Sequence, residues 1–208
     1  EALAAAVSYV GSPEHKESSA TMSEPFSFHA EWEAVDGSRG DEIRATWARF
    51  SLRVNGHPVT RVLDGRSACY RDHILVPLYP VTEWIVRNWW SLLYEPEVTG
   101  DQDYPQRHDL RFGREGYALP VLKVTPQGSQ VTLQWRPEDY GNITGPSSGS
   151  ATIPMDAFRE TLSRWIEQVI GRLEVCQIHD TLLQHEWAAI QQAPADERAF
   201  CIAAAEAG

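Results

Sequence analysis

Residues 74–94 read ILVPLYPVTEWIVRNWWSLLY, and the rest of the chain has to be arranged around them. The run is the most apolar in the sequence and holds three of its eight tryptophans, Trp84, Trp89 and Trp90. Ile74, Leu75, Val76 and Leu78 read as a short buried strand. Pro80 suits the first turn of a helix, where a missing N–H costs nothing. From there Val81, Trp84, Ile85, Trp89 and Leu92 fall on one helical stripe, and Val86, Trp90 and Leu93 on another. Glu83 and Arg87 are spaced for an i, i+4 ion pair. A helix with so narrow a polar face must be covered by protein on most sides, so this element is expected to be the keel of the core.

Upstream of the keel the pattern is that of strands. Residues 26–32 alternate apolar and polar positions (Phe26, Phe28, Ala30, Trp32), and 35–42 reads as a loop. Residues 43–54 alternate again, with a change of phase between Trp47 and Phe50 that predicts a β-bulge. Asn55-Gly56 supplies the positive φ angles of a type I′ turn, and 59–63 is expected to return as the partner strand. Residues 63–72 connect this hairpin to the keel.

Downstream, 95–116 is polar and reads as a long loop. Residues 118–125 and 130–136 predict a second hairpin, with Trp135 packed on the sheet, and 137–150 is a loop rich in Gly, Pro and Ser. The period then becomes helical: Phe158, Leu162, Trp165, Ile166, Val169, Ile170 and Leu173 form one stripe. Asp180 or Thr181 can cap a second helix through Leu182, Leu183, Trp187 and Ile190, broken at Pro194, and 196–207 predicts a third. Strands followed by helices indicate an α+β fold. The expected form is a mainly antiparallel sheet of hairpins packed on the Trp-rich helix, with a C-terminal helical subdomain. The expected division is a flexible leader at 1–25, an α+β domain at 26–150 and a helical subdomain at 151–208 that continues beyond Gly208.

Composition narrows the functional classes. The chain of 208 residues is 42% apolar, ordinary for a protein with a core, and its net charge is −11. Such an acidic balance argues against a sequence-independent grip on nucleic acid and against a polybasic membrane contact. Cys69, Cys176 and Cys201 are scattered with no C-x-x-C pair, which reads as a reduced, cytoplasmic protein. No run approaches the roughly 18 apolar residues of a membrane helix.

Several residue groups invite chemistry. His185-Glu186 matches the start of the H-E-x-x-H zinc motif, but Ala189 occupies the position of the second histidine, so the pair reads as a solvated helix face. His179 and His185 are six residues apart, on different helical faces, and Asp180 reads as a cap rather than as their acid/base partner. Cys69 with His73 has no glycine-rich elbow or helix N-terminus to activate the thiol. Glu95, Glu97, Asp101 and Asp103 lack the order of a calcium loop. No phosphate-cradling or nucleophile-elbow motif is present. Trp84, Trp89 and Trp90 have only Arg87 as a basic neighbour and read as core rather than as a base-stacking platform. The residues themselves therefore nominate no catalytic, cofactor-binding or metal-binding group.

Three segments, TWARFSLRVNGHPVTRV (46–62), LVPLYPVTEWIVRNWWSLLYEP (75–96) and DTLLQHEWAAIQQAPADERAFCIAAAEAG (180–208), resemble the non-catalytic N-terminal region of bacterial ImmA/IrrE-family metallo-endopeptidases. The resemblance implies a bacterial cytoplasmic recognition or regulatory region, in stress, phage or mobile-element control. It also implies a zinc-binding H-E-x-x-H downstream of Gly208 and a repressor-like protein partner. Two other readings stay open: a stand-alone interaction module of a defence or toxin–antitoxin system, and a small-molecule enzyme with 95–116 as a lid. Because residues 1–21 belong to the leader expected to be flexible, their deletion is expected to change stability by no more than about 0.5 kcal/mol, read by thermal denaturation.

Overall fold

The computed structural model describes residues 24–34, 41–65, 67–95, 108–111, 121–136, 143–144 and 148–193. It is an α+β fold of antiparallel sheets and helices that share one hydrophobic cluster. In the first sheet β1 (Phe26–Trp32) lies antiparallel to β2 (Trp47–Val54). The far side of β2 is divided between β3 (His57–Pro58) and β6 (Ile74–Pro77). A small sheet joins β4 (Val62–Asp64) to β5 (Cys69–Arg71) and to β10 (Ile143–Thr144). The third sheet runs in the order β11 (Gly149–Pro154), β9 (Gln130–Arg136), β8 (Val121–Gln127), β7 (Asp109–Arg111).

The first hairpin turns at Asn55 (φ 47°) and Gly56 (φ 77°), as the Asn-Gly pair requires. Its returning strand is His57–Pro58, ahead of the expected 59–63, and β4 pairs in the small sheet instead of with β2. Beyond Pro58 one more backbone bond holds the chain to β2, from Val59 N–H to Leu52 O (2.8 Å), and Thr60 Oγ1 then takes over the ladder: it accepts from Leu52 N–H (2.9 Å) and donates to Asp72 O (3.1 Å). A single buried hydroxyl thus lets β3 depart and β6 arrive on the same edge. Nor is there a bulge within 43–54. The change of phase is a change of element, from α1 (Glu42–Ala45), capped by Asp41, to β2, with Thr46 between them.

The keel is two helices. Strand β6 leads into α2 (Leu78–Arg87), and Asn88 (φ −105°, ψ 16°) separates it from α3 (Trp89–Tyr94). Asn88 Nδ2–H donates to Trp84 O (2.8 Å), and that local bond satisfies a terminal carbonyl of α2. The break turns Trp89 inward, where it meets Trp187 edge-on at 5.0 Å, and leaves Trp84 and Trp90 only half-buried. The N-terminus of α2 has no side-chain cap of its own, because Pro77 holds that place. Thr46 serves it from far upstream: its carbonyl accepts from Leu78 N–H (2.9 Å) and its Oγ1 from Tyr79 N–H (3.0 Å). Pro80 has no N–H to satisfy.

The longest of the described elements, α4 (Met155–Val175), occupies the centre. Its buried stripe matches the sequence pattern, with Phe158, Leu162, Trp165, Ile166, Val169 and Leu173 inside and Ile170 at the margin. It packs on β1, on β9 and β11, and on α2. Trp165 is fully buried beside Phe28 and Phe50 (ring centroids 5.6 and 4.6 Å), and Phe158 lies against Phe26 at 5.0 Å. At its far end Arg172 ties two connections down, donating from Nε to Ala45 O (2.9 Å) and from Nη2 to Glu33 O (2.8 Å). Helix α5 (Leu182–Gln192) follows, its Thr181 and Gln184 forming a capping box.

The segment 137–150 contains β10 and the start of β11 where sequence indicated only a loop, and the position expected to separate domains, 150/151, falls within β11. Gly149 opens that strand because nothing larger fits: a Cβ there would clash with the Trp135 ring. Of the 1–25 leader, Glu24 and Pro25 are described. Pro25 O accepts from Asn55 N–H (2.8 Å), and Glu24 pairs with Arg164 (3.2 Å). The expected third helix at 196–207 lies outside the described residues.

Removing the ring from Trp165 or Trp89 should cost about 3–5 kcal/mol, as for buried aromatic-to-alanine changes generally. Trp84→Ala should cost clearly less, since its indole is part-exposed, and Glu83→Ala at most about 1 kcal/mol, its pair with Arg87 being at the surface. Urea denaturation of the four variants gives this ranking.

Candidate functional site

The outer face of the first sheet carries the alternate residues of each strand: Ser27, His29 and Glu31 on β1, Arg49, Ser51 and Arg53 on β2, and Leu75 on β6. Arg49 lies between Glu31 (3.8 Å) and Glu33 (3.4 Å). Further along, two guanidinium groups share one carboxylate: Asp72 meets Arg53 at 3.3 Å and Arg61 at 3.5 Å. The Arg61 guanidinium also covers the ring of Tyr70 at 4.6 Å. Tyr70 is 64% exposed and Leu75 50%, the former on β5 and the latter three residues beyond Asp72. At the Asp72 end of this face two guanidinium groups meet one carboxylate, with the Tyr70 ring beside Arg61. The chemistry of this patch suits recognition of a carboxylate-bearing surface, since arginine binds planar anions through a fixed fork of donors.

A second polar group lies in the seam between α2 and α5. Arg87 Nη2–H donates to Glu83 Oε1 at 2.9 Å, and Arg87 Nε lies 3.5 Å from Glu186 Oε1. The other oxygen of Glu186 is shielded from water and makes no hydrogen bond among the described residues. Burial, and next the carboxylate of Glu83, raise the Tyr79 phenol above its usual value. The seam thus holds Arg87 between two carboxylates and joins the two helices.

The candidates singled out by sequence are not gathered into one site. His185 is exposed on α5 while its neighbour Glu186 turns toward Arg87, so the two do not act together. Asp180 is not the cap. It takes a left-handed conformation (φ 57°) just outside the helix, and the hydroxyl of Thr181 accepts from Gln184 N–H at 3.3 Å. His179 is exposed. Cys69 is exposed on β5, and no hydrogen bond joins it to half-buried His73 among the described residues. Glu97, Asp101 and Asp103 lie outside the described residues. Among those described, no group of three or more His, Cys, Asp or Glu side chains is placed to hold a metal ion.

Sequence reasoning missed His108, which is fully buried. Its Nε2 lies 2.9 Å from Glu95 O at the end of α3, and its carbonyl accepts from Val124 N–H (2.8 Å). The supposed loop 95–116 is therefore pinned at residues 95 and 108 and includes β7. A lone histidine in a polar stretch carries no signal of burial.

Among the described residues no helix is long and apolar enough to cross a membrane. No family model, curated protein or solved structure matches the chain.

Thr181→Ala should lower stability by about 1 kcal/mol through loss of the cap. His185→Ala, on the exposed face of the same helix, should change it by no more than about 0.5 kcal/mol. Chemical denaturation of both variants separates the two effects.

Proposed function

We propose that the chain is a protein-recognition module that receives an acidic segment of its partner on the patch around Arg53, Arg61, Tyr70 and Asp72. One observation carries this reading: two arginines share a single carboxylate beside a largely exposed tyrosine. Tyrosine and arginine are, with tryptophan, the residue types enriched at the hot spots of protein interfaces. An incoming carboxylate completes the pairing of Arg53 and Arg61, and an apolar residue beside it covers the Tyr70 ring. In the larger setting the module is the non-catalytic recognition region of an ImmA/IrrE-like zinc metallopeptidase, and the acidic segment belongs to its repressor-like substrate. That placement rests on the resemblance of residues 46–62, 75–96 and 180–208.

The patch is tested with a synthetic peptide rich in Asp and Glu and carrying one leucine, followed by fluorescence anisotropy. Binding should weaken as salt is raised. Arg61→Glu and Tyr70→Ala should each weaken it by about tenfold, as for an interface residue whose loss costs somewhat more than about 1 kcal/mol, with unchanged melting temperature. Equal binding by both variants sinks the assignment of the patch. The larger setting is tested separately: an H-E-x-x-H coded downstream of Gly208 in the natural reading frame supports it, and a stop codon there removes it.

A further inference from the structure

An edge strand presents backbone N–H and C=O groups that no neighbour uses, and register fixes which groups of β1 these are. Strand β1 pairs with β2 from Phe26↔Val54 to Trp32↔Ala48. The ladder continues at both ends, where Asn55 N–H donates to Pro25 O (2.8 Å) and Glu33 N–H to Trp47 O (2.9 Å). In an antiparallel ladder alternate residues exchange both bonds with the neighbouring strand, so residues 25, 27, 29, 31 and 33 face β2. Phe26, Phe28, Ala30 and Trp32 turn their backbone groups the other way. The carbonyl of Phe26 accepts from Thr161 Oγ1–H at 3.0 Å. Among the described residues nothing bonds to the outward groups of Phe28, Ala30 or Trp32.

Among the described residues the other strand edges are guarded in the ways natural sheets use. β3 has two residues, one of them Pro58, while β5 and β7 have three each. β6 ends in Pro77, and β11 begins with glycine and ends in proline. β1 runs for seven residues with no proline, glycine or lysine and no interruption of register.

We propose that β1 is a homodimerisation edge: two copies of the chain join β1 to β1, antiparallel, about a two-fold axis at Ala30. The side chains select both this partner and this register. With Ala30 opposite Ala30, half-buried Phe28 of each copy lies opposite half-buried Trp32 of the other on the inner face. On the outer face His29 of each copy lies opposite Glu31 of the other, in the non-hydrogen-bonded positions where side chains approach most closely. Glu31 is then held between Arg49 of its own chain and the imidazole of the second. Moving the axis to residue 31 sets Glu31 against Glu31. Moving it to residue 29 sets His29 against His29 and parts Phe28 from Trp32. The arrangement is isologous and closes at two copies. An interface of one strand from each copy is small, so dimer and monomer exchange with concentration. The contact is independent of the arginine patch.

Sedimentation velocity on the whole chain, from micromolar to millimolar concentration, tests the proposal. The natural sequence should pass from monomer to dimer. Ala30→Pro removes an outward N–H that β2 does not use, so it should remain monomeric with an unchanged circular dichroism spectrum. Glu31→His sets histidine against histidine at both outer positions and should weaken association about tenfold. Adding His29→Glu exchanges the two residues and restores the opposed pairs, so the double variant should recover to within about threefold of the natural chain. Should Ala30→Pro fail to fold, the exchange pair decides the matter. A natural chain that stays monomeric throughout leaves the edge to a strand of another protein and overturns the proposal, as does a double variant no tighter than Glu31→His.

Discussion

Trp165 donates its indole N–H to Thr82 Oγ1 at 3.0 Å, and Thr82 donates its own O–H to Leu78 O at 2.7 Å. All three residues are completely buried. This short relay is the joint between α4 and α2, and the two sheets meet around it: the same indole lies on Phe28 and Phe50 of the first sheet, and α4 continues onto β9 and β11 of the third. A buried polar pair of this kind adds little net energy when complete, yet leaving one member unpaired costs about 1–3 kcal/mol. Its larger effect is on uniqueness. An all-apolar contact would let α4 slide or rotate over α2, whereas the indole N–H reaches an acceptor in only one arrangement.

Around that joint the fold repeatedly uses a threonine or an arginine to finish what a backbone element leaves incomplete. Thr46 caps α2 from another part of the chain, Thr60 ends the β2–β3 ladder, and Thr161 takes the outward carbonyl of Phe26. Arg172 collects the carbonyls of Ala45 and Glu33 while lying 5.7 Å from the Trp32 ring. Each replaces a missing backbone partner, so the irregular junctions between sheets and helices carry few unsatisfied groups. What remains unfinished lies at the surface. One carboxylate serves two arginines at Asp72, and the middle of β1 keeps its outward groups free of partners among the described residues. Both are places where another protein surface can supply what this chain does not.

The sequence by itself determined the local elements whose signals are short-range. Alternation placed β1 and β2, Asn55-Gly56 placed the first turn, and the period of Phe158, Leu162, Trp165 and Val169 placed α4. These follow from backbone sterics and from which side of an element must be dry, both written within a few residues. The ion pair of Glu83 with Arg87 was legible for the same reason. So was the incompleteness of His185-Glu186 as a zinc motif, which needs only the residue four positions on.

Tertiary structure alone decided the rest. Thr82 and His108 are polar by type and buried in fact, because Trp165 and Glu95 meet them from 83 and 13 residues away. The keel breaks at Asn88, whose side chain bonds to Trp84 O, and this sends Trp89 into the core and leaves Trp84 at its margin. The strand at 149–154 escaped detection since its β-signal is weak and its place beside β9 is secured by a glycine seated against Trp135. The patch of Arg53, Arg61, Tyr70 and Asp72 spans β2, the β3–β4 connection, β5 and the residue after it, and no spacing along the sequence records that gathering. Propensity and period act over a few residues, whereas burial, capping from a distance and shared charges exist only once the sheets have met α4.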